Sequence, residues 1–166
     1  MKRLFPLVAA ALLATVIDAA AQNAVFVARH AERADAGSGA TTMATDPELS
    51  DIGRTRAQSL AAMLKDAGVT VIFVTEYKRT QQTAEPLAKL LGIQATVVSA
   101  KDTQGLIEKV KAVTGRALVV GHSNTVPEVL GKLGVENPPK LADSDYGDLF
   151  LVSRGDTTTL FRLHYR

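Results

Sequence analysis

The chain alternates short runs of apolar, mostly β-branched residues with segments of helical hydrophobic spacing, and this alternation limits the folds available to it. The apolar runs are continuous rather than alternating, which is typical of strands that are covered on both faces. Alternation of strands and helices predicts a parallel sheet flanked by helices. The predicted fold class is therefore α/β, a three-layer α/β/α sandwich with a mostly parallel central sheet.

Four strand–helix units are predicted, followed by a hairpin. Ser50 is the expected N-cap of the first helix, and Gly92 ends the second. Two final strands flank Arg154-Gly155-Asp156 and form a C-terminal hairpin on the otherwise parallel sheet. In chain order the predicted strands are 24–28, 69–75, 95–99, 117–120, 149–153 and 157–164, and the predicted helices are 50–65, 80–91, 103–113 and 125–133.

The first 21 residues have the composition of a secretory signal peptide. Lys2 and Arg3 form a positive start, residues 4–17 are apolar, and residues 19–21 are three alanines. The apolar stretch is shorter than the roughly 20 residues that a membrane helix needs. We therefore expect one domain over residues 22–166, secreted or periplasmic, with no membrane attachment after leader cleavage. An uncleaved N-terminal anchor is the alternative.

Composition excludes several classes of function. Removing the leader takes away Lys2, Arg3 and Asp18, so the formal net charge falls from +2 to +1. With only five Phe, three Tyr and no Trp, the chain lacks the basic, aromatic surface that nucleic-acid binding requires. The absence of cysteine excludes thiolate zinc sites and cysteine nucleophiles. The sequence does not indicate an oligomeric state.

Polar side chains follow three of the predicted strands. The first strand ends in Arg29-His30, the second leads to Arg79 at the start of a helix, and the fourth ends in Gly121-His122-Ser123. In open α/β sheets ligands bind outside the carboxyl ends of the strands. If these strands are neighbours, two arginines, two histidines and a helix N-terminus converge on one pocket.

Such a set of groups suits a phosphate. Guanidinium groups bind phosphoryl oxygens and keep their charge, and a helix N-terminus offers free N–H groups. A neutral imidazole can attack phosphorus, and a protonated one can stabilise the charge of the transition state. Taken singly, each feature also has an ordinary structural explanation, such as a solvated strand end or a core histidine. Their joint occurrence favours a phosphate site.

Four segments between residues 25 and 130 resemble the signatures of the histidine phosphatase superfamily, the phosphoglycerate-mutase-like family with an Arg-His signature. The resemblance implies the family's three-layer fold and needs no metal or cofactor, which fits the absence of a Walker loop or carboxylate cluster. The matching residues are Arg29-His30-Ala31-Glu32, then Leu49, Ser50, Gly53, Arg56 and Ala57, then Arg79, Thr80, Thr83 and Ala84, and last Gly121-His122-Ser123.

By this resemblance the protein is a phosphomonoesterase that acts on a small phosphorylated molecule. His30 is the nucleophile that forms a phosphohistidine, and Arg29, Arg79 and His122 hold the phosphoryl group, with Ser123 as a further phosphate-binding candidate. A backbone carbonyl at residues 31–33 is expected to fix the tautomer of His30. Few residues between Arg79 and His122 are left for an insertion that encloses the substrate, so hydrolysis is favoured over mutase chemistry.

The general acid that protonates the leaving oxygen is less well defined. In the family a carboxylate often comes from the loop after the third strand, which makes Asp102 the first candidate and Glu76 the second. Asp102 also precedes a predicted helix, where an aspartate is commonly an N-cap. Glu32 could pair with a neighbouring arginine and orient the site, and the role of Arg33 is open. The pocket walls are expected from the loops at 34–47 and 99–105.

Three other functions fit parts of the pattern. A non-catalytic phosphate-binding relative would keep the same signatures, and a phosphohistidine-protein phosphatase would need only an open pocket. The segment 121–125 also resembles the G-x-S-x-G elbow of α/β hydrolases, with Ser123 as nucleophile, His164 as base, and an acid from Asp143, Asp145 or Asp148. Against this, Thr125 stands at the closing glycine, and Arg29, His30 and Arg79 would be left without a role.

Overall fold

A computed structural model of the protein describes residues 23–35, 46–154 and 157–166. The predicted signal peptide, most of the 34–47 loop, and Gly155 and Asp156 of the predicted hairpin turn lie outside the described residues. The strands are β1 (Asn23–Arg29), β2 (Val69–Val74), β3 (Ala95–Val97), β4 (Arg116–Gly121), β5 (Asp148–Arg154) and β6 (Thr158–His164). The helices are α1 (Asp51–Leu64), α2 (Lys78–Leu91), α3 (Thr103–Ala112) and α4 (Thr125–Lys132).

All ten elements occur in the predicted order, and their ends differ from the prediction by a few residues. β1 continues through Arg29, so the first functional side chain belongs to the strand itself. α2 begins at Lys78, two residues earlier than predicted, which places Arg79 in its first turn. β3 is shorter than predicted and ends at Val97.

The strands form one sheet in the order β3-β2-β4-β1-β5-β6. β3, β2, β4 and β1 are parallel, β5 runs antiparallel to β1, and β6 runs antiparallel to β5. This confirms a mostly parallel sheet with a C-terminal hairpin. Because β1 and β4 are neighbours with Arg29 opposite Gly121, and β2 lies beside β4, the three strand ends that carry polar side chains meet at one edge.

Helices cover both faces of the sheet and give the three predicted layers. On one face α1 and α2 bury apolar side chains such as Leu60 and Leu87 against Phe26, Ile72 and Leu118. On the other face α3 and α4 do the same against the alternate strand residues, among them Val27, Phe73 and Val119. Apolar side chains of β1 and β4 therefore pack on both faces, which explains their continuous apolar runs.

Three local features fix α1 and α2. The Ser50 hydroxyl accepts a hydrogen bond from the Gly53 N–H at 3.0 Å and caps α1 as expected. Gly53 lies against the backbone of Glu32, where a Cβ atom would overlap the Glu32 carbonyl oxygen. α2 ends at Gly92, whose φ of 66° is in the left-handed region that favours glycine. None of the helices in the described part of the chain has the length and apolar character to cross a bilayer.

Candidate active site

Arg29 lies at the end of β1 and is 3% exposed. Its Nη1 donates to the backbone carbonyl oxygens of Ala142, Asp143 and Asp145 at 2.9, 3.1 and 3.4 Å. Its guanidinium lies 4.1 Å from the ring centre of Tyr146. The loop before β5 thus holds this buried cation with carbonyl oxygens and an aromatic face, which fixes the direction of the guanidinium.

His30 is held in one tautomer by the neighbouring backbone. Its Nδ1 lies 2.8 Å from the carbonyl oxygen of Ala31, and a carbonyl can only accept, so Nδ1 carries the hydrogen and Nε2 keeps its lone pair. The His30 N–H donates to the Gly121 carbonyl at 2.9 Å, and the Ala31 N–H donates to Thr83 Oγ1 at 2.9 Å. The carbonyl expected to fix the tautomer is therefore present, and it is that of Ala31.

The His30 ring is neutral over the physiological range. Burial, together with the nearby charges of His122, Arg29 and Arg79, lowers the pKa of His30 to about 2 against a raising contribution from the Ala31 carbonyl. A neutral imidazole with an unprotonated Nε2 is the form that can act as a nucleophile.

Arg79 is the second buried cation of the site, with 1% of its surface exposed. Its guanidinium lies 4.4 Å from the ring centre of Tyr77, and Asp46 Oδ1 is 3.8 Å from its Nη1. Nε and Nη1 of Arg79, like Nε of Arg29, have no hydrogen-bond partner among the described residues. Burial lowers the pKa of both arginines, yet a guanidinium starts so high that both remain charged.

His122 faces His30, with 5.3 Å between the ring centres. Nη2 of Arg79 lies 3.4 Å from its Nδ1, and because a guanidinium only donates, Nδ1 is the acceptor. The hydrogen is then on Nε2, which donates to Thr75 Oγ1 at 3.0 Å. Burial and the charge of Arg79 lower the pKa of His122 to about 4, with a smaller contribution from Arg29 against the raising charge of Glu76.

A short chain of hydroxyl groups supports this tautomer of His122. Thr75 Oγ1 lies 2.9 Å from Thr80 Oγ1, and Thr80 Oγ1 donates to the Tyr77 carbonyl oxygen at 2.8 Å. Because the last acceptor is a carbonyl, each hydroxyl hydrogen points away from His122. Thr80 and Thr83 lie in the Arg79-Thr80-x-x-Thr83-Ala84 segment, and Thr83 links α2 to the residue after His30.

The two residues after Ala31 make different ion pairs. Glu32 accepts a bidentate pair from Arg56, with contacts of 2.6 to 2.9 Å, so its expected arginine partner comes from α1. Arg56 Nη1 also donates to the Tyr165 carbonyl oxygen at 2.9 Å. Arg33 is nine-tenths buried and pairs through Nε with Asp35 Oδ1 at 3.1 Å.

The candidate acids lie in different surroundings. Asp102 caps α3, where its Oδ1 accepts from the Gly105 N–H at 2.9 Å, and its catalytic role stays a prediction. Glu76 follows β2, accepts from the Ala100 N–H at 2.7 Å, and lies near enough to His122 to raise the pKa of that histidine. Ser123 is half-buried in the turn between His122 and α4.

The hydrolase alternative is not supported by the fold. His164 does pair with the buried carboxylate of Asp148, at 2.8 Å. However, Ser123 follows β4 and His164 ends β6, and the intervening β1 and β5 separate them by roughly 14 Å at about 4.8 Å per strand. The serine and histidine of a triad need hydrogen-bond contact.

The sequence missed several residues of the site. Tyr77 and Tyr146 stack on the two arginines, and the loop at 142–145 supplies the carbonyl oxygens for Arg29. The position of Tyr77 two residues before Arg79 was a usable signal, whereas nothing in the sequence marks Tyr146. Among residues 23–35, 46–154 and 157–166, no three His, Asp or Glu side chains are grouped so that they could hold a metal ion.

Known proteins resemble this chain in sequence and in fold. The sequence model of the histidine phosphatase superfamily (branch 1) matches residues 25–108, just over half of the chain. The chain therefore belongs to the histidine phosphatase superfamily. No curated protein sequence matches it.

Solved phosphatase structures share the fold. The α-ribazole phosphatase from Shigella flexneri is similar with a TM-score of 0.70 at 15% identity, over 85% of this chain and 96% of that one. Mycobacterial glucosyl-3-phosphoglycerate phosphatase complexed with VO3 gives 0.68 at 15%, over 86% and 98%. The protein histidine phosphatase SixA complexed with tungstate gives 0.64 at 18%, over 85% and 96%. Family and neighbours together support a phosphatase, and hence hydrolase, activity.

Proposed function

We propose that the protein is a metal-independent phosphomonoesterase that hydrolyses small phosphorylated substrates through a phosphohistidine. One observation carries the proposal: neutral His30 keeps an unprotonated Nε2 and lies 5.3 Å from His122 between ring centres, with Arg29 and Arg79 near enough for their charges to lower its pKa. The site combines a nucleophile with two guanidinium groups, each of which can donate two parallel hydrogen bonds to phosphoryl oxygens. The phosphatase names of the structural neighbours agree with this reaction class.

In the first step the lone pair of His30 Nε2 forms a bond to phosphorus while the ester P–O bond breaks. A general acid gives its proton to the departing oxygen, so an alcohol leaves. The imidazole ring becomes positively charged, and the Ala31 carbonyl at Nδ1 stabilises that charge. Water then attacks phosphorus, the conjugate base of the acid takes its proton, and the P–N bond breaks to return neutral His30.

Phosphate binding changes the proton balance at His122. With the pocket empty, burial and Arg79 keep the ring neutral. A bound phosphoryl dianion supplies the opposite charge, raises the pKa of His122, and makes the protonated ring a donor to the phosphoryl oxygens. Arg29 and Arg79 supply fixed charge to the same oxygens, and their buried N–H groups without partners become satisfied.

For the general acid we favour Glu76 over Asp102. What supports Glu76 is its position two residues past the end of β2, close enough to His122 to raise the pKa of that ring. Each carboxylate accepts one backbone N–H, Glu76 from Ala100 and Asp102 from Gly105, so these hydrogen bonds do not separate the two candidates. The general acid must lie within hydrogen-bond distance of the leaving oxygen in the bound complex. The position of the carboxyl group is therefore the first criterion for the acid, and its pKa is the second.

Replacing the nucleophile tests the proposal. We expect His30→Ala to lower kcat/KM for p-nitrophenyl phosphate in EDTA by about a thousandfold or more, because no other group forms the covalent intermediate. Wild type should lose no activity in EDTA and should be most active at acidic to neutral pH.

His164→Ala is the matched control, since His164 is exposed and lies outside the pocket, and it should keep wild-type turnover. Phosphate binding by wild type without turnover at any pH between 4 and 8 would identify a non-catalytic phosphate-binding relative. A rate that rises steadily above pH 8 would contradict the need for a protonated acid.

Leaving-group dependence identifies the acid. We expect Glu76→Gln to lower kcat for an alkyl ester such as glycerol 2-phosphate by about a hundredfold, and for p-nitrophenyl phosphate by less than tenfold. The difference arises because p-nitrophenolate can leave as the anion, whereas an alkyl leaving group needs a proton on its oxygen as the P–O bond breaks. Asp102→Asn keeps a helix-capping side chain and serves as the comparison. An alkyl-selective loss in Asp102→Asn, with Glu76→Gln unaffected, would assign the acid to Asp102 instead.

We also propose that the protein is exported, on the basis of the charged start, apolar centre and alanine triplet of residues 1–21. Export separates it from cytoplasmic kinases, which favours small phosphorylated molecules over phosphohistidine proteins as substrates. Mass spectrometry of the protein from its native cells should give an N-terminus at Gln22. An intact Met1 in the membrane fraction would show an uncleaved anchor.

A further inference from the structure

Arg56 of α1 holds the segment that follows the nucleophile, although the proposed reaction does not use it. Its Nε and Nη2 donate to the carboxylate of Glu32, two residues after His30, with contacts of 2.6 to 2.9 Å. The two side chains are 20% and 16% exposed, so water and salt screen the pair weakly. This ion pair fixes where the Glu32 carboxylate lies.

A second contact ties Arg56 to the other side of the site. Its Nη1 donates to the Tyr165 carbonyl oxygen at 2.9 Å, and the Tyr165 N–H donates to the Gly147 carbonyl oxygen at 2.9 Å. A Cβ atom at Gly147 would lie 2.7 Å from that Tyr165 oxygen and 3.0 Å from Arg56 Nη1, so glycine permits the close approach. Gly147 directly follows Tyr146, whose ring lies against the guanidinium of Arg29. Arg56 therefore joins two segments that flank the site.

The Glu32 carboxylate lies close to a cation of the phosphate pocket. Against the raising effect of burial, hydrogen bonds from Arg56 hold the pKa of Glu32 below its ordinary value, and the charge of Arg29 contributes to this lowering. Glu32 is therefore ionised and within electrostatic range of Arg29. Without Arg56 it would be a partly buried, unpaired charge, a costly state that the charge of Arg29 would relieve. It would then compete with a phosphoryl dianion for that charge.

We propose that Arg56 is a positioning residue that neutralises Glu32 and thereby leaves the charge of Arg29 available to the phosphoryl group. This rests on the proposed function, because it takes Arg29 as part of the phosphate site. Arg56 does not contact the substrate and acts through Glu32. Loss of Arg56 alone therefore weakens phosphate binding, whereas loss of Arg56 and Glu32 together does not.

Calorimetry with inorganic phosphate tests this without turnover. We expect Arg56→Gln to bind phosphate about tenfold or more weakly than wild type, because the unpaired Glu32 then opposes the anion at Arg29 with an effect like the loss of one hydrogen bond to a charged group. Glu32→Gln and the double variant Glu32→Gln/Arg56→Gln lack that carboxylate. Both should bind phosphate within about threefold of wild type.

Turnover and a conservative substitution give a second readout. The value of kcat/KM for p-nitrophenyl phosphate should fall in Arg56→Gln and recover in the double variant. Arg56→Lys should lie between Arg56→Gln and wild type, since lysine keeps the charge without the paired donors. Arg54→Gln is the matched control, because Arg54 also pairs with a carboxylate from α1 but is exposed, and it should keep wild-type phosphate affinity.

An ion pair that only stabilises the fold predicts a different order, with the double variant at least as impaired as either single variant. Phosphate affinity of Arg56→Gln within about threefold of wild type would overturn the proposal. So would a double variant that binds phosphate about tenfold more weakly than wild type or does not fold. If Arg56→Gln alone does not fold, Glu32→Gln and the double variant decide in the same way. Failure of wild type to bind phosphate would instead contradict the phosphate pocket, and with it both proposals.

Discussion

The site depends on holding several positive groups together at one buried sheet edge. Arg29 and Arg79 are almost fully buried, and like charges at close range repel in a medium that screens them poorly. The fold offsets this with backbone carbonyl oxygens and with the faces of Tyr146 and Tyr77, and Asp46 approaches Arg79 from outside. Because the carbonyl oxygens and aromatic faces carry no net charge and the Asp46 carboxylate stays 3.8 Å from Arg79 Nη1, most of the positive potential remains for a ligand anion.

The same positive environment sets the state of both histidines. A protonated ring would be a further buried cation beside the arginines, so burial and charge repulsion keep His30 and His122 neutral. Hydrogen-bond direction then separates their roles. His30 donates from Nδ1 to a carbonyl and keeps Nε2 for attack, whereas His122 accepts at Nδ1 from Arg79. Two identical residues thus acquire different chemistry from their neighbours.

The sequence predicted the part of the site that the parallel sheet alone determines. Arg29 ends a strand, His30 and His122 directly follow strands, and Arg79 lies in the first turn of a helix just after one. Parallel pairing therefore brings them to one edge. Groups that depend on the path of a loop were not predictable. Tyr146 reaches Arg29 through the irregular segment between α4 and β5, which has no hydrophobic period.

The partners of the charged side chains could not be predicted from the sequence either. From the sequence, any of Arg29, Arg33 and Arg56 could be the ion-pair partner of Glu32. In the fold, the packing of Gly53 against the Glu32 backbone brings Arg56 to the Glu32 carboxylate. The same limit applies to the acid. Asp102 satisfies the pattern of a helix cap as well as that of a catalytic loop, and sequence alone does not distinguish the two.

Nitrogen-15 NMR of the histidine rings tests the central claim, that His30 is a neutral nucleophile fixed by its surroundings, most directly. With the pocket empty, His30 should give the signals of a neutral ring with hydrogen on Nδ1 and should not titrate between pH 8 and 5. Signals of a ring with hydrogen on Nε2, or protonation of His30 near the ordinary histidine pKa, would contradict the account.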